Sequence, residues 1–394
     1  MEKIDFLTIG IDGGATEVKA HQIIIKGTLE KPIFELGKIS AARKYKWVEN
    51  IKFVEIKQQL AERAEGKTNL TEDEIKQGDN YIRATFEAIE EVVKKSRMKK
   101  VLIGMGMPGL KTDDKRGINC MANGAREPKF LEKLEKKLVE TQINLVAPIP
   151  KLGSDADYCG IGEEYAGEGL FKDVKRAYYM GGGTGIADAM KLNGRLVPFD
   201  LTKEWIQKAW QILCAFGLTH EKIASAKSMN QLFMNYQRCL TDKEKEKGVF
   251  PEVEAVKGNP LAIYVLDTAA CVLAELFFER IYTLKNGREQ LSYRGEGYLA
   301  LKKEHPYLGL LFDRLILGQR MGKLLSEPKY AKFFRKPLES YLATFISKSK
   351  DKKMISHYLD AKGNLKKNLL VASKLREAPA IGAAIDAFNA IFSK

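Results

Sequence analysis

Two short glycine turns are placed where a backbone could hold phosphate: Asp12-Gly13-Gly14-Ala15-Thr16 and Gly182-Gly183-Thr184-Gly185. Each follows a run of β-prone residues, Phe6 to Asp12 in one case and Arg176 to Met180 in the other. Glycines let the chain turn tightly and let amide N–H groups approach phosphate oxygens, and a threonine hydroxyl adds a donor. Asp12, at its strand end, is placed to hold Mg2+ directly or through water, because magnesium binds through one or two carboxylates plus phosphates. Neither turn is a P-loop, since no GxxxxGK[ST] occurs, and neither leads into the helix that a dinucleotide fingerprint requires. Asp155 opens a predicted helix, and from its own surroundings it can serve simply as a cap.

The elements that must position these residues read as an α/β chain. Phe6–Asp12, Val18–Ile25 and Ile33–Leu36 form a predicted antiparallel meander. Thr71 and Glu74 make a capping box ahead of a long amphipathic helix to about Lys95. An apolar strand, Val101–Gly106, ends in Pro108-Gly109; Pro128 begins a charged helix to about Glu140; Ile143–Val146 is a strand and Asp155–Gly167 a helix. Strand, glycine turn and strand then recur near 176–198, with Asn193-Gly194 as a hairpin turn. That weak duplication is expected of two similar lobes. Beyond Leu201 the chain reads as mostly helical: Leu261–Tyr282 is apolar nearly all round and so buried, and a final helix holds Ala380–Ala384. A short strand, Arg314–Gly318, interrupts the helices, and Trp205 and Trp210 are expected to pack from a helix.

Composition removes several function classes. The 394 residues suggest two or three domains, or two lobes around one cleft, at roughly 150 residues per domain. Five scattered cysteines without CxxC and four histidines without HxxxH argue against a disulfide framework and a zinc site. A reducing, cytoplasmic location follows. No run approaches the ~18 apolar residues of a membrane span, and the first strand starts too early to leave room for an N-terminal DNA-reading domain. The net charge is +14, and Lys323 to Lys374 holds 13 Lys/Arg against 4 Asp/Glu. That stretch reads as a solvated helical surface that draws in anions such as nucleotides, in preference to a nucleic-acid face with stacking aromatics.

Taken together, the motifs resemble the sugar-kinase/actin-like ATPases and, within them, the ROK (repressor, open reading frame, kinase) family. Asp12–Lys19 resembles the first phosphate motif, Gly104–Gly109 a GxGxPG strand end, and Met121-Ala122-Asn123 a sugar-contacting turn. Ser154-Asp155-Ala156-Asp157 with Gly162-Glu163 resembles NDANxxxxGE, Gly183–Ile186 the second phosphate motif, and Leu315–Gly318 and Ile381–Ala384 the segments that close over adenosine. The resemblance implies an α/β fold of two ribonuclease H-like lobes around a central cleft, with a largely helical C-terminal part. The small lobe would span 1–148 with the helix 376–394 packing back on it, and the large lobe 149–375.

It further implies ATP-dependent phosphoryl transfer to a sugar hydroxyl, with Asp155 as general base and Asp12 orienting Mg2+. Asp12, Gly13, Gly14, Thr16, Gly182, Gly183, Thr184, Gly185, Gly318 and Gly382 would serve the nucleotide. Pro108, Gly109, Asn123, Ser154 and Asp155 would serve the sugar. No zinc, membrane or nucleic-acid partner is implied, and a homodimer is compatible. The family's E-x-G-H sugar clamp is missing, because Pro198–Trp205 stands where it should follow, and so is the cysteine-rich zinc motif. Glucose and N-acetylhexosamines are therefore not the expected substrates. A sugar-sensing or scaffold protein on the same fold is the alternative.

Overall fold

A computed structural model describes residues 4–14, 16–122, 124–241 and 249–392. The chain divides into two compact units, Met1–Gly169 with Glu377–Lys394, and Leu170–Arg376. The first unit begins with the expected meander, β1 (Leu7–Gly13), β2 (Glu17–Gly27) and β3 (Pro32–Lys44). It continues through α1 (Ile56–Ala64), α2 (Glu72–Ser96), β4 (Lys100–Gly106), a small hairpin of β5 (Leu110–Lys111) and β6 (Ile118–Cys120), and α3 (Phe130–Glu140). Then come β7 (Asn144–Leu145), β8 (Leu152–Gly153) and α4 (Asp155–Tyr165), and the helix Ala378–Phe392, α13, completes the unit. The sheet order is β3-β2-β1-β4-β7, with β8 also on β4. β1 is antiparallel to β2 and parallel to β4.

β1 and β4 are buried along nearly their whole length, as central strands covered on both faces should be. One cover is α2, whose capping box forms as read: Thr71 Oγ1 accepts from the Glu74 amide, and the Glu74 carboxylate accepts from the Thr71 amide. The other is α13. Gly10 and Gly104 are register partners on β1 and β4. A β-carbon on Gly10 would fall 1.9 Å from the Ala380 carbonyl oxygen, and one on Gly104 1.9 Å from that of Ala383. The helix backbone thus lies in a trough that only glycines leave open. α4 packs on α13 by the same means, since a β-carbon on Gly382 would fall 1.9 Å from the Tyr158 carbonyl oxygen.

The second unit repeats the strand plan. It contains β9 (Ala177–Gly182), β10 (Ile186–Leu192), β11 (Arg195–Leu196), α5 (His220–Ala224), α6 (Ala226–Thr241), α7 (Pro251–Val256), α8 (Pro260–Asn286) and α9 (Glu296–Leu299). β12 (Arg314–Gly318), α10 (Gln319–Ser326), α11 (Lys336–Lys348), α12 (Lys352–Tyr358) and β13 (Leu370–Ala372) follow. Its sheet runs β11-β10-β9-β12-β13, again an antiparallel meander continued by parallel strands. Against the expectation that no run suits a membrane span, α8 is long and apolar enough to cross one by length and composition; its apolar side chains fill the core of this unit.

Three further expectations change. The break falls after Gly169, not at 148, because α4 packs on α13 and belongs with the first sheet. The charged helix starts at Phe130, not at Pro128, because Ile118 and Glu127 exchange backbone hydrogen bonds of 2.9 and 3.0 Å and hold the chain extended up to that point. Trp205 and Trp210 lie in irregular turns between Thr202 and Thr219. There the Ala209 amide donates to Asp188 and the Gln207 carbonyl accepts from Arg280, so these backbone groups are spent outside a helical ladder.

The glycine trough makes a stability prediction. Gly104→Ala should lower unfolding free energy by about 1–3 kcal/mol or more, as overpacking against backbone does. Gly167→Ala, whose β-carbon would meet atoms only at ordinary contact distances of 3.5–3.8 Å, should change it by less than about 0.5 kcal/mol in urea titrations.

Candidate functional site

In the first unit the strand register brings the candidate residues to one edge. Asp12 pairs with Gly106, and Gly106 pairs with Gly153 on β8, so β1, β4 and β8 end side by side. Asp155 follows two residues later as the first residue of α4. Ser154 takes the N-cap position, and its hydroxyl makes no capping bond. Asp155 is exposed, with Oδ1 accepting from the Ala156 amide at 2.9 Å. A carboxylate suits this helix end, where unpaired amides carry partial positive charge. The Tyr158 ring lies over the strand ends: a β-carbon on Gly153 would fall 2.1 Å from it, and one on Gly106 3.1 Å. Its hydroxyl donates to Asp386 at 3.3 Å, which also pairs with Lys151 at 3.0 Å.

Asp12 is half-buried, and its carboxyl is pushed up to about 6 from an ordinary 3.8. Burial is the main cause, followed by the charges of Asp155 and Glu377, while Lys19 opposes them. Lys19 is itself shared with Glu17 at 3.6 Å. Glu377, just ahead of α13, also lies 3.6 Å from His21, whose titration burial pushes down. The edge is therefore short of positive charge. Among the described residues no group of three His, Cys, Asp or Glu side chains is arranged as a metal cage. One half-buried carboxylate in an acidic field matches the hard-oxygen, partly hydrated binding that Mg2+ prefers.

The first glycine turn is tight for local reasons as well. A β-carbon on Gly13 would fall 2.0 Å from the Met107 sulfur, and the Gly14 amide is spent on the Glu17 carbonyl at 2.8 Å. Thr16 is exposed. Pro108 is half-buried and Gly109 exposed with φ +87°, and Lys111 Nζ donates to the Met107 and Gly109 carbonyls at 2.6 and 2.7 Å. Asn123 lies outside the described residues. Its flanks are anchored: Met121 exchanges hydrogen bonds with Gln59, the Ala125 amide donates to Tyr81, and buried Arg126 pairs with Glu62 and Glu74. Gly382 is buried inside α13, where its bare α-carbon admits α4.

In the second unit Gly182 pairs with Ile186 across the turn, the Gly183 amide donates to the Gly185 carbonyl at 2.9 Å, and Thr184 is exposed at the tip. Gly318 pairs with Gly181 at the parallel strand ends and serves as the N-cap of α10. Glu221 reaches this turn, its Oε2 accepting from the Ile186 amide at 2.8 Å. Asp188 is neither solvated nor open to a substrate. It is buried and accepts from the Ala209 amide at 2.9 Å and from Arg280 and Tyr178 at 3.3 Å each. Asp200 sits between Lys203 and Lys208 at 3.2 and 3.5 Å, and Glu204 pairs with Lys302. Sequence reasoning missed Tyr158, Glu221 and Glu377, since only the glycines they crowd and the chain path through α13 reveal them.

No family model and no curated protein matches the sequence. Solved structures do match. The chain is similar to a ROK family glucokinase from Streptomyces griseus in complex with glucose and AMPPNP, with TM-score 0.54 and 14% identity over 96% of this chain and 98% of that one. It is similar to the ROK hexokinase from Thermus thermophilus, with TM-score 0.51 and 15% identity over 98% and 99% of the two chains. A ROK family transcriptional regulator, a homologue of the E. coli MLC protein, matches with TM-score 0.54 and 14% identity over 98% of this chain and 79% of its own. The chain thus has the actin-like ATPase fold of ROK proteins, in agreement with the fold class read from its motifs.

The raised carboxyl of Asp12 makes stability depend on pH. Between about pH 4 and pH 6 the folded chain holds a proton there that the unfolded chain has released, so stability falls as pH rises through this window. Asp12→Asn should be more stable than wild type by about 3 kcal/mol at pH 7 and equal to it below about pH 4. Urea unfolding across that range, without divalent cations, reads the difference.

Proposed function

We propose that the chain is an ATP-dependent sugar kinase of the ROK type, a cytoplasmic phosphotransferase acting on an alcohol group. The observation that carries this reading is the aligned strand edge that sets Asp155 within the field of Asp12, on a fold shared with a glucokinase and a hexokinase. Phosphoryl transfer calls for positioning and charge neutralisation more than for covalent chemistry by the protein. Asp155 accepts the proton of the attacking hydroxyl on Oδ2, while the Ala156 amide holds Oδ1 and fixes the carboxylate's direction. Ser154, with its hydroxyl free of capping duty, and the Pro108-Gly109 turn are assigned to orienting the sugar. Asp12 would hold Mg2+, which supplies charge neutralisation at the phosphates when bound. The exposed Thr16 and Thr184 hydroxyls are the proposed phosphate donors, together with turn amides other than those of Gly14 and Gly183, which are committed to Glu17 and Gly185.

The residues from Pro198 to Trp205, where the family's sugar clamp would follow, form a short turn whose acids are committed to lysines. Glucose and N-acetylglucosamine should accordingly be poor substrates in an ADP-release screen over a panel of sugars. The same feature, with the regulator among the structural relatives, supports a second reading: a sugar-binding protein without turnover.

Asp155→Asn separates the two. If Asp155 is the base, turnover should fall at least about 10²-fold while Mg·ATP affinity by calorimetry stays nearly unchanged. If it only stabilises the helix end, asparagine serves about as well, and near wild-type rates would overturn the mechanism. Mg2+ should also bind more weakly below about pH 6, where Asp12 keeps its proton. A pH-independent affinity would remove Asp12 from the metal role.

A further inference from the structure

The second unit carries a groove that the kinase reading leaves unused. Phe278 and Tyr282, one turn apart on α8, and Phe345 on α11 line a cavity of about 330 Å³. Ring centroids are 5.9 Å apart for Phe278–Tyr282 and 5.9 Å for Phe278–Phe345. All three rings are half-buried, so they keep faces or edges open instead of sinking into the core. A cavity near the lower end of ligand-site volumes suits a single fused ring system. Aromatic walls at this spacing take such a ring by offset stacking and edge contacts.

Polar groups converge on the same groove. Glu289, at its wall, gives Oε2 to Arg294 at 2.7 Å, and Oε1 has no hydrogen-bond partner among the described residues. That oxygen can accept from a ring amino group. Lys348 lines the same cavity, exposed and with no acidic partner among the described residues. Lys350, Lys352 and Lys353 follow it. The one acid among them, Asp351, is already engaged: Oδ1 accepts from the Lys353 and Met354 amides at 2.9 and 3.0 Å, and Oδ2 from Asn286 at 3.4 Å. Those bonds leave the Lys348 ammonium without a pair among the described residues, and an anion can meet it there.

A polynucleotide would need further open rings along the basic stretch. Instead Tyr330, Phe334 and Tyr358 are buried, Phe333 packs against the core with Lys332 over its ring, and the Tyr341 hydroxyl is committed to Asp267 at 2.8 Å. We propose that this groove binds a small aromatic anion bearing a ring amino group, the chemistry of a purine nucleoside monophosphate. The ring lies against Tyr282 and Phe345, the amino group meets Glu289, and the phosphate meets Lys348.

The proposal does not rest on the kinase reading, because none of these residues belongs to a glycine turn. Calorimetry on the full chain with AMP as probe, in the presence of saturating Mg·AMPPNP, tests it. Wild type should bind one AMP, and adenosine and ribose 5-phosphate should each bind at least about tenfold more weakly, as loss of one anchoring group predicts. Lys348→Glu, a change at an exposed position, should weaken AMP at least about tenfold, and Tyr282→Ala should do the same while still melting cooperatively as a folded protein. Loss of AMP binding in these variants supports the groove even if Mg·AMPPNP itself fails to bind, an outcome that would count against the kinase reading alone. No AMP binding at millimolar concentration, or unchanged binding in Lys348→Glu, overturns the proposal. So does a single-stranded oligonucleotide that binds the wild type much more tightly than AMP.

Discussion

How closely one helix can lie on one sheet determines where the candidate base sits. α13 reaches the paired glycines of β1 and β4 with its backbone, and α4 reaches α13 in the same way at Gly162 and Gly382. The Tyr158 ring then closes α4 down on the glycines that end β4 and β8. Each contact requires that a side chain be missing, and together they fix the first turn of α4, and so Asp155, relative to Asp12. Packing this close gains dispersion at many atom pairs. Burial at this edge, with the charges of Asp155 and Glu377, holds the Asp12 carboxyl above its usual range.

The second unit has the same strand order and a different kind of interior. Its core encloses Arg280 with Asp188 and Glu279, and Arg294 with Glu275 and Glu289. Buried pairs of this sort add little net stability, but breaking one by removing a partner typically costs about 3–5 kcal/mol. Their effect here is placement. Asp188 and Arg280 bind the backbone at Ala209 and Gln207 and hold the irregular segment from Thr202 to Thr219 in place. This segment lies just beyond the short turn at Phe199–Leu201, so the buried pairs of the core set the chain path there.

Features set by neighbours in the chain were legible. The capping box at Thr71 and Glu74, the meander, the long apolar helix α8 and the positions of both glycine turns follow from local pattern, and all are found. Features set by distant partners were not. The segment around Trp205 has helical spacing, yet its amides and carbonyls answer to residues on β10 and α8. Glu377 is a charged residue ahead of a helix until α13 carries it to His21 and Asp12. The boundary near 148 looked natural because a strand ends there, but the small residues of α13 are what claim α4 for the first unit.

The chain path through α13 also has a bearing on how the protein is made. The trough on β1 and β4 is complete as soon as the first unit's strands have been synthesised, but the helix that fills it follows the whole of the second unit. On the ribosome, then, Leu170–Arg376 can close its own core while the first sheet still waits with one apolar face open to water. The usual N-to-C order of domain maturation is reversed. During that interval the nascent chain exposes Phe6 and Phe34, whose rings later pack on Phe392 and Phe388 of α13, and a general chaperone has its natural foothold there.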